Sequence, residues 1–159
     1  MILIFDMDDT LYDESTYVES SFRAVAKYLF EKYALPKKTL LKDLIQVLNE
    51  HGRGHVFDEV LIKNKIYTKI EVKKCLSIYR NNIPKITLFD EAKDALDRLN
   101  GYPKYLVSDG NKLVQSIKAN ALGTKIYFKK ILLTHRYGTK YAKPSTYCFN
   151  LIKKLEKCN

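Results

Sequence analysis

Cysteine is scarce in this chain. Its 159 residues include three, Cys75, Cys148 and Cys158, odd in number and far apart. No Cys-x-x-Cys occurs, so neither a disulfide framework nor a zinc site is suggested, and a reduced, cytoplasmic protein is the expectation. Long apolar runs are also missing: nothing approaches the roughly 20 residues that a membrane-spanning helix needs. The N-terminus has neither the basic start nor the cleavage site of a signal peptide, because an apolar strand pattern begins at Ile2. There are no internal repeats and no low-complexity tracts. Acidic residues are in deficit, 18 against 28 basic ones, which leaves a formal net charge of +10. That surplus attracts anionic ligands of many kinds. The lysines nevertheless fall in scattered pairs, Lys37-Lys38, Lys73-Lys74, Lys129-Lys130 and Lys153-Lys154. No basic run is interleaved with aromatics, so a nucleic-acid partner is not expected. A hydrophobic fraction of 46% with 29% charged residues suits a globular protein. The length allows one core, or one core and a small inserted lobe.

What is present begins with the first ten residues. Ile2 to Phe5 form a short, unbroken, partly β-branched run, the pattern of a strand buried on both faces. It delivers two carboxylates, Asp6 and Asp8, to one strand end. Carboxylates in such a place need compensation, and a divalent metal would supply it. From residue 14 to residue 85 no strand pattern occurs. Val18, Phe22, Val25, Ala26 and Leu29 recur at helical spacing, as do Leu40, Leu41, Leu44, Ile45 and Leu48. Weaker helices are predicted over 56–66 and 70–79, and Asn81-Asn-Ile-Pro84 closes the block. Thereafter strands and helices alternate: helix 89–99, strand 104–107 ending at Ser108, helix 112–121, strand 128–134 and helix 144–157, with Pro144 in its first turn. This pattern predicts an α/β fold, a truncated Rossmann-like parallel sheet of about three strands with an inserted all-helical lobe. The expected domains are 1–13 with 86–159 as the core and 14–85 as the helical insert.

In parallel sheets ligands bind beyond the carboxyl ends of the strands, where Asp6, Asp8 and Ser108 are predicted to lie. Lys143 follows strand three and precedes a helix start, where an anion is favoured. Three segments then become specific: Asp6-Met-Asp-Asp-Thr-Leu-Tyr12, Tyr105-Leu-Val-Ser-Asp-Gly-Asn111 and Ala142-Lys-Pro-Ser145. In order and spacing they resemble the first three motifs of the haloacid dehalogenase (HAD) superfamily, mostly phosphatases with an aspartate nucleophile. The resemblance covers nearly the whole chain. It implies that Asp6 attacks phosphorus and that Asp8 protonates the leaving oxygen and later activates water. It implies that Mg²⁺ is held by the Asp6 carboxylate and the Asp8 carbonyl. Ser108, with the amides of Asp109 and Gly110, would bind phosphoryl oxygens that Lys143 neutralises. The helical insert would be the cap that selects substrate, and the substrate a small phosphorylated metabolite.

The family's fourth motif, an acidic pair after a further strand, has no counterpart before Asn159. Without its metal ligand, affinity and turnover should fall. A catalytically weak or inactive phosphate-binding or interaction protein is therefore carried beside the phosphatase. The same gap would leave strand one at a sheet edge and invite a homodimer through that edge. The alternatives of a fragment and of a degraded relative stay open beside it. Among lesser candidates, Thr10 is expected to bond locally and Asp9 to be a solvated turn residue. Asp109 could approach the metal but reads better as an exposed loop carboxylate. His51 and His55 are separated by Gly-Arg-Gly, which argues against the helix that would align them for zinc and for a flexible loop, where Arg53 could meet a substrate anion.

Overall fold

The computed structural model describes residues 1–157, and Cys158 lies outside them. The chain divides into two compact units, one made of Met1–Glu14 together with the chain from Lys85 onward, the other of Ser15–Pro84.

The first unit carries a parallel sheet of three strands, β1 (Leu3–Phe5), β2 (Lys104–Ser108) and β3 (Lys130–Leu133), in the spatial order β1-β2-β3. Leu3, Ile4 and Phe5 stand opposite Lys104, Tyr105 and Leu106, and Ser108 opposite Leu133. The expected α/β sheet is present, with two corrections in its strands. The structure does not bury β1 on both faces, as its composition suggested: it is the edge that the unmatched fourth motif implied, and Ile4 is 39% exposed. The fully buried strand is the central β2, all five of whose residues are inside. An unbroken apolar run of four residues cannot by itself distinguish a centre from an edge. β3 is also shorter than expected, because Thr134 already turns into a 3₁₀ segment, Thr134–Arg136.

Helices α1 to α4 occupy residues Glu14–Tyr33, Lys37–His51, Val56–Lys63 and Lys69–Asn81. Apart from Glu14, they make up the second unit. Their apolar stripes meet around Phe22, Phe57 and Tyr79, whose rings lie 5.6–6.2 Å apart in tilted and edge-on contacts. Thr68 caps α4 by accepting from the Glu71 amide at 3.0 Å. Glu71 is nearly buried, and the Tyr33 hydroxyl (2.8 Å), the Lys32 ammonium (2.6 Å) and the Tyr28 hydroxyl all donate to it. These donors outweigh the cost of burial and hold the Glu71 carboxyl below its ordinary range. α3 stops at Lys63, short of Ile66, because Lys65 adopts a left-handed φ of 58° and the Ile66 amide turns back to the Leu61 carbonyl.

Three helices belong to the sheet unit: α5 (Asp90–Arg98), α6 (Lys112–Ala121) and α7 (Tyr147–Leu155). The buried Lys104 ammonium donates to the Leu96 and Leu99 carbonyls at 3.0 and 2.9 Å. It thereby satisfies the C-terminal carbonyls of α5 where a cation is favoured. Asn111 caps α6, accepting from the amides of Leu113 and Val114. α7 packs Cys148 and Ile152 against Tyr105, Val107 and Leu132 of the sheet. It starts at Tyr147 and not at 144, so Pro144 is not in its first turn. The Ser145 amide instead closes a turn onto the Ala142 carbonyl at 2.9 Å.

Candidate active site

The carboxylates after β1 sit in a turn pinned from beneath. Met7, Leu11 and Tyr12 are at most 1% exposed and alternate with the polar Asp6, Asp8, Asp9 and Thr10. The Leu11 and Thr10 amides both return to the Met7 carbonyl, at 3.0 and 3.4 Å, so Thr10 joins the turn through its backbone. Asp9 has a left-handed φ of 53°, and its carboxylate accepts from the Glu14 amide at 3.0 Å. Asp9 is thus more than a solvated turn residue, since it satisfies an amide at the start of α1.

Asp6 stands at the end of β1 with 44% of its side chain exposed. One oxygen accepts from the Met7 amide at 2.8 Å and the other meets the Lys143 ammonium at 2.7 Å. The 3.4 Å bond from Lys143 Nζ to the Val107 carbonyl at the end of β2 fixes that ammonium further. Lys143 does not precede a helix start directly: it lies on the loop before α7, four residues ahead of Tyr147. That loop is braced by aromatic contacts of Tyr147 with Tyr141 and Tyr137, at ring separations of 4.2 and 5.3 Å. Its anchor is Asp109, which is not the exposed loop carboxylate expected. Asp109 accepts from the Thr134 hydroxyl at 2.6 Å and from the Lys143 amide at 3.2 and 3.3 Å. One short side chain therefore ties the end of β3 and the lysine loop to the end of β2.

Asp8 faces a different group of partners. Its Oδ1 accepts from the Tyr12 hydroxyl at 2.7 Å and from the Lys118 ammonium at 2.9 Å, and its Oδ2 from Gln115 Nε2 at 2.6 Å. Burial, and behind it the hydrogen bond to Asp8, pushes the Tyr12 phenol far above its ordinary range, so Tyr12 remains a donor. Lys118 also holds Glu14 at 2.9 Å, and its own side chain is only 3% exposed. Ser108 is 1% exposed at the end of β2, with Gln115 Nε2 at 2.8 Å from its hydroxyl oxygen. Gly110 follows with a φ of 115°, a conformation that disfavours any side chain, and leads into capped α6.

The structure thus brings Asp6, Asp8, Ser108, Asp109, Gly110 and Lys143 to the carboxyl ends of adjacent strands in one unit. His51, Arg53 and His55 belong to the other unit, where α2 ends at Gly52 with φ 75°. His51 Nδ1 lies 2.6 Å from the Glu59 carboxylate. Sequence reading missed Tyr12, Glu14, Gln115, Lys118 and Thr134. The available signal was on α6, where Gln115 and Lys118 fall between Val114 and Ala119 on the buried face of the helix.

Carboxylates and a lysine gather at the carboxyl ends of parallel strands, where α/β proteins bind their ligands. A sequence model of haloacid dehalogenase-like hydrolases matches residues 1–158, and the chain belongs to that family. It is 26% identical over 156 residues to the glyceraldehyde 3-phosphate phosphatase of Pyrococcus abyssi, and 26% over 155 residues to that of Pyrococcus furiosus. Each alignment covers 92% of this chain and 64% of the relative, so the chain spans less than two thirds of the length of these proteins. A HAD-superfamily hydrolase of subfamily IA from Geobacter sulfurreducens shares the fold with a TM-score of 0.64 at 14% identity, covering 99% of this chain and 73% of its own. The HAD-hydrolase YfnB of Bacillus subtilis, solved bound to magnesium, gives 0.55 at 23% identity, covering 96% and 71%.

Proposed function

We infer that the chain is a Mg²⁺-dependent phosphatase of small phosphate monoesters, working through an aspartyl-phosphate. The observation that carries this reading is the 2.7 Å pair between Asp6 and Lys143, with Asp8 and Ser108 supplied by the same strand ends. Asp6 is the exposed and laterally held carboxylate, suited to attack phosphorus as the ester P–O bond breaks. Asp8 gives its proton to the departing ester oxygen. It then takes a proton from the water that attacks the aspartyl-phosphate, which releases inorganic phosphate and restores Asp6. Ser108 and the amides of Asp109 and Gly110 receive the phosphoryl oxygens, and Lys143 balances their charge. The phosphatase relatives from Pyrococcus support a phosphorylated metabolite as substrate.

The donor set suits magnesium. The Asp6 carboxylate and the Asp8 backbone carbonyl are hard oxygens, and Mg²⁺ commonly takes one or two carboxylates with waters and substrate phosphate completing an octahedron. Among the described residues no group of three or more His, Cys, Asp or Glu could hold a metal. When bound, the ion would offset negative charge between Asp6 and the phosphoryl group.

Hydrolysis of p-nitrophenyl phosphate is the test. Turnover should require added Mg²⁺ and should vanish on chelation with EDTA. Equal turnover with and without the metal, or none at all, would overturn the reading. Phosphate binding without turnover is the second reading, favoured by the three donors that hold Asp8 as an acceptor. It would give Mg²⁺-dependent binding of inorganic phosphate and no release from the ester.

The insert Ser15–Pro84 is proposed as the cap of this enzyme, on the strength of its all-helical build and its place directly after β1 and its turn. The open side of β1 supports one further expectation, since Ile4 lies on an edge with no side-chain charge between Met1 and Phe5. Such an edge favours pairing with a second copy. Light scattering at micromolar concentration should report a dimer, and a dispersed monomer would remove the idea.

A further inference from the structure

Gln115 Nε2 lies at the meeting point of three oxygens, 2.6 Å from Asp8 Oδ2, 2.8 Å from Ser108 Oγ and 2.7 Å from the Asp109 carbonyl. These are the proposed proton donor, the proposed phosphoryl-binding hydroxyl and the backbone between Ser108 and Gly110. We propose that Gln115 is the positioning residue that fixes the Asp8 carboxylate and the Ser108 hydroxyl relative to each other, so that proton delivery and phosphoryl binding act on one substrate pose. The proposal rests on the phosphatase reading above and adds a residue to it.

The chemistry of the amide makes the assignment specific. A carboxamide nitrogen donates two hydrogens and accepts none, so the three oxygens share two hydrogens. The Asp109 carbonyl can only accept, so the amide nitrogen must face this cluster, and not its oxygen. Ser108 cannot spend its hydroxyl proton on that nitrogen, and among the described residues Gln115 is the only partner of its oxygen. The proton is therefore kept for a phosphoryl oxygen. At Asp8 the two oxygens differ. Oδ1 is held by two donors, Tyr12 and Lys118, whereas Oδ2 has Gln115 alone. Oδ2 is then the oxygen with room to carry the proton to the leaving group, and Gln115 sets its direction. The side chain is only 2% exposed, and it passes beneath Gly110, where an added Cβ would lie 3.5 Å from its Cγ and Cδ. A capped helix holds its backbone, so the amide is placed before substrate arrives.

The leaving group separates this role from a merely structural one. p-Nitrophenolate departs without help, whereas an alkoxide needs the proton. Gln115→Met keeps the length of the side chain and removes both donors. With Mg²⁺ present, kcat/KM for glycerol phosphate should fall roughly 100-fold, within the range that general acid–base catalysis supplies, and that for p-nitrophenyl phosphate by about 10-fold or less. Binding of inorganic phosphate should also weaken severalfold, through Ser108. Equal losses on both esters would mark a residue that only supports the fold, and unchanged kinetics a bystander; either overturns the proposal and leaves the phosphatase reading standing. If Gln115→Met does not fold, Gln115→Asn keeps the amide but withdraws it by one methylene, and the same leaving-group bias, smaller in size, is expected. A wild-type chain inert toward both esters would overturn the phosphatase reading and Gln115's role with it.

Discussion

Asp6→Asn is expected to abolish phosphate-monoester hydrolysis and leave the chain folded. The two side chains have almost the same shape, and Asp6 is 44% exposed at the end of a strand, so little packing is at stake. What the amide loses is the charge that makes Asp6 a nucleophile and the partner of Lys143 at 2.7 Å. A half-exposed ion pair of this kind contributes about 0–1 kcal/mol to stability, so thermal melting should hardly move. Asp8→Asn retains the nucleophile and removes the acid, and should slow turnover by roughly 10²–10⁴-fold. Phosphate release by both variants and the wild type, beside their melting curves, decides the matter. Turnover retained by Asp6→Asn, with contaminating phosphatase excluded, would take the nucleophile's role from Asp6.

Much of this architecture was legible because period and order survive in a linear sequence. The strand ends at Phe5 and Ser108 were readable from short apolar runs that stop at polar residues, and the bounds of α6 agree with the predicted helix 112–121. Asp6, Asp8 and Ser108 were nominated from their places at those ends. What stayed hidden depends on burial, which no local pattern reports. The run at β1 and the run at β2 look alike, yet only β2 has a strand on either side. Asp109 looks like a loop carboxylate until Thr134, 25 residues away, is found at 2.6 Å. Gln115 and Lys118 belong to none of the three motifs. Their meaning comes from Asp8, more than a hundred positions earlier in the chain, which α6 meets only when β1 and β2 are paired.

Lys118→Met is expected to destabilise the sheet unit more than removal of any single surface charge. The Lys118 ammonium is nearly enclosed and is shared between Asp8 and Glu14 at 2.9 Å each. Methionine preserves the stem and its packing but removes the cation that Asp8 and Glu14 share. Removing one partner from a buried ionic group typically costs roughly 3–5 kcal/mol, because the remaining charges are left uncompensated. For a chain of this size that corresponds to a fall in melting temperature on the order of 10 °C. Glu14→Gln alone should cost much less, since Lys118 keeps Asp8. In the Lys118→Met background, Glu14→Gln should restore part of the loss by removing one of the two uncompensated charges. The pairwise energy from that double-mutant cycle is the measurement, because it separates ionic coupling from lost packing. If the two substitutions are additive, Lys118 does not bridge Asp8 and Glu14 energetically, and the stability of the site must come from the apolar anchors Met7, Leu11 and Tyr12 beneath the turn.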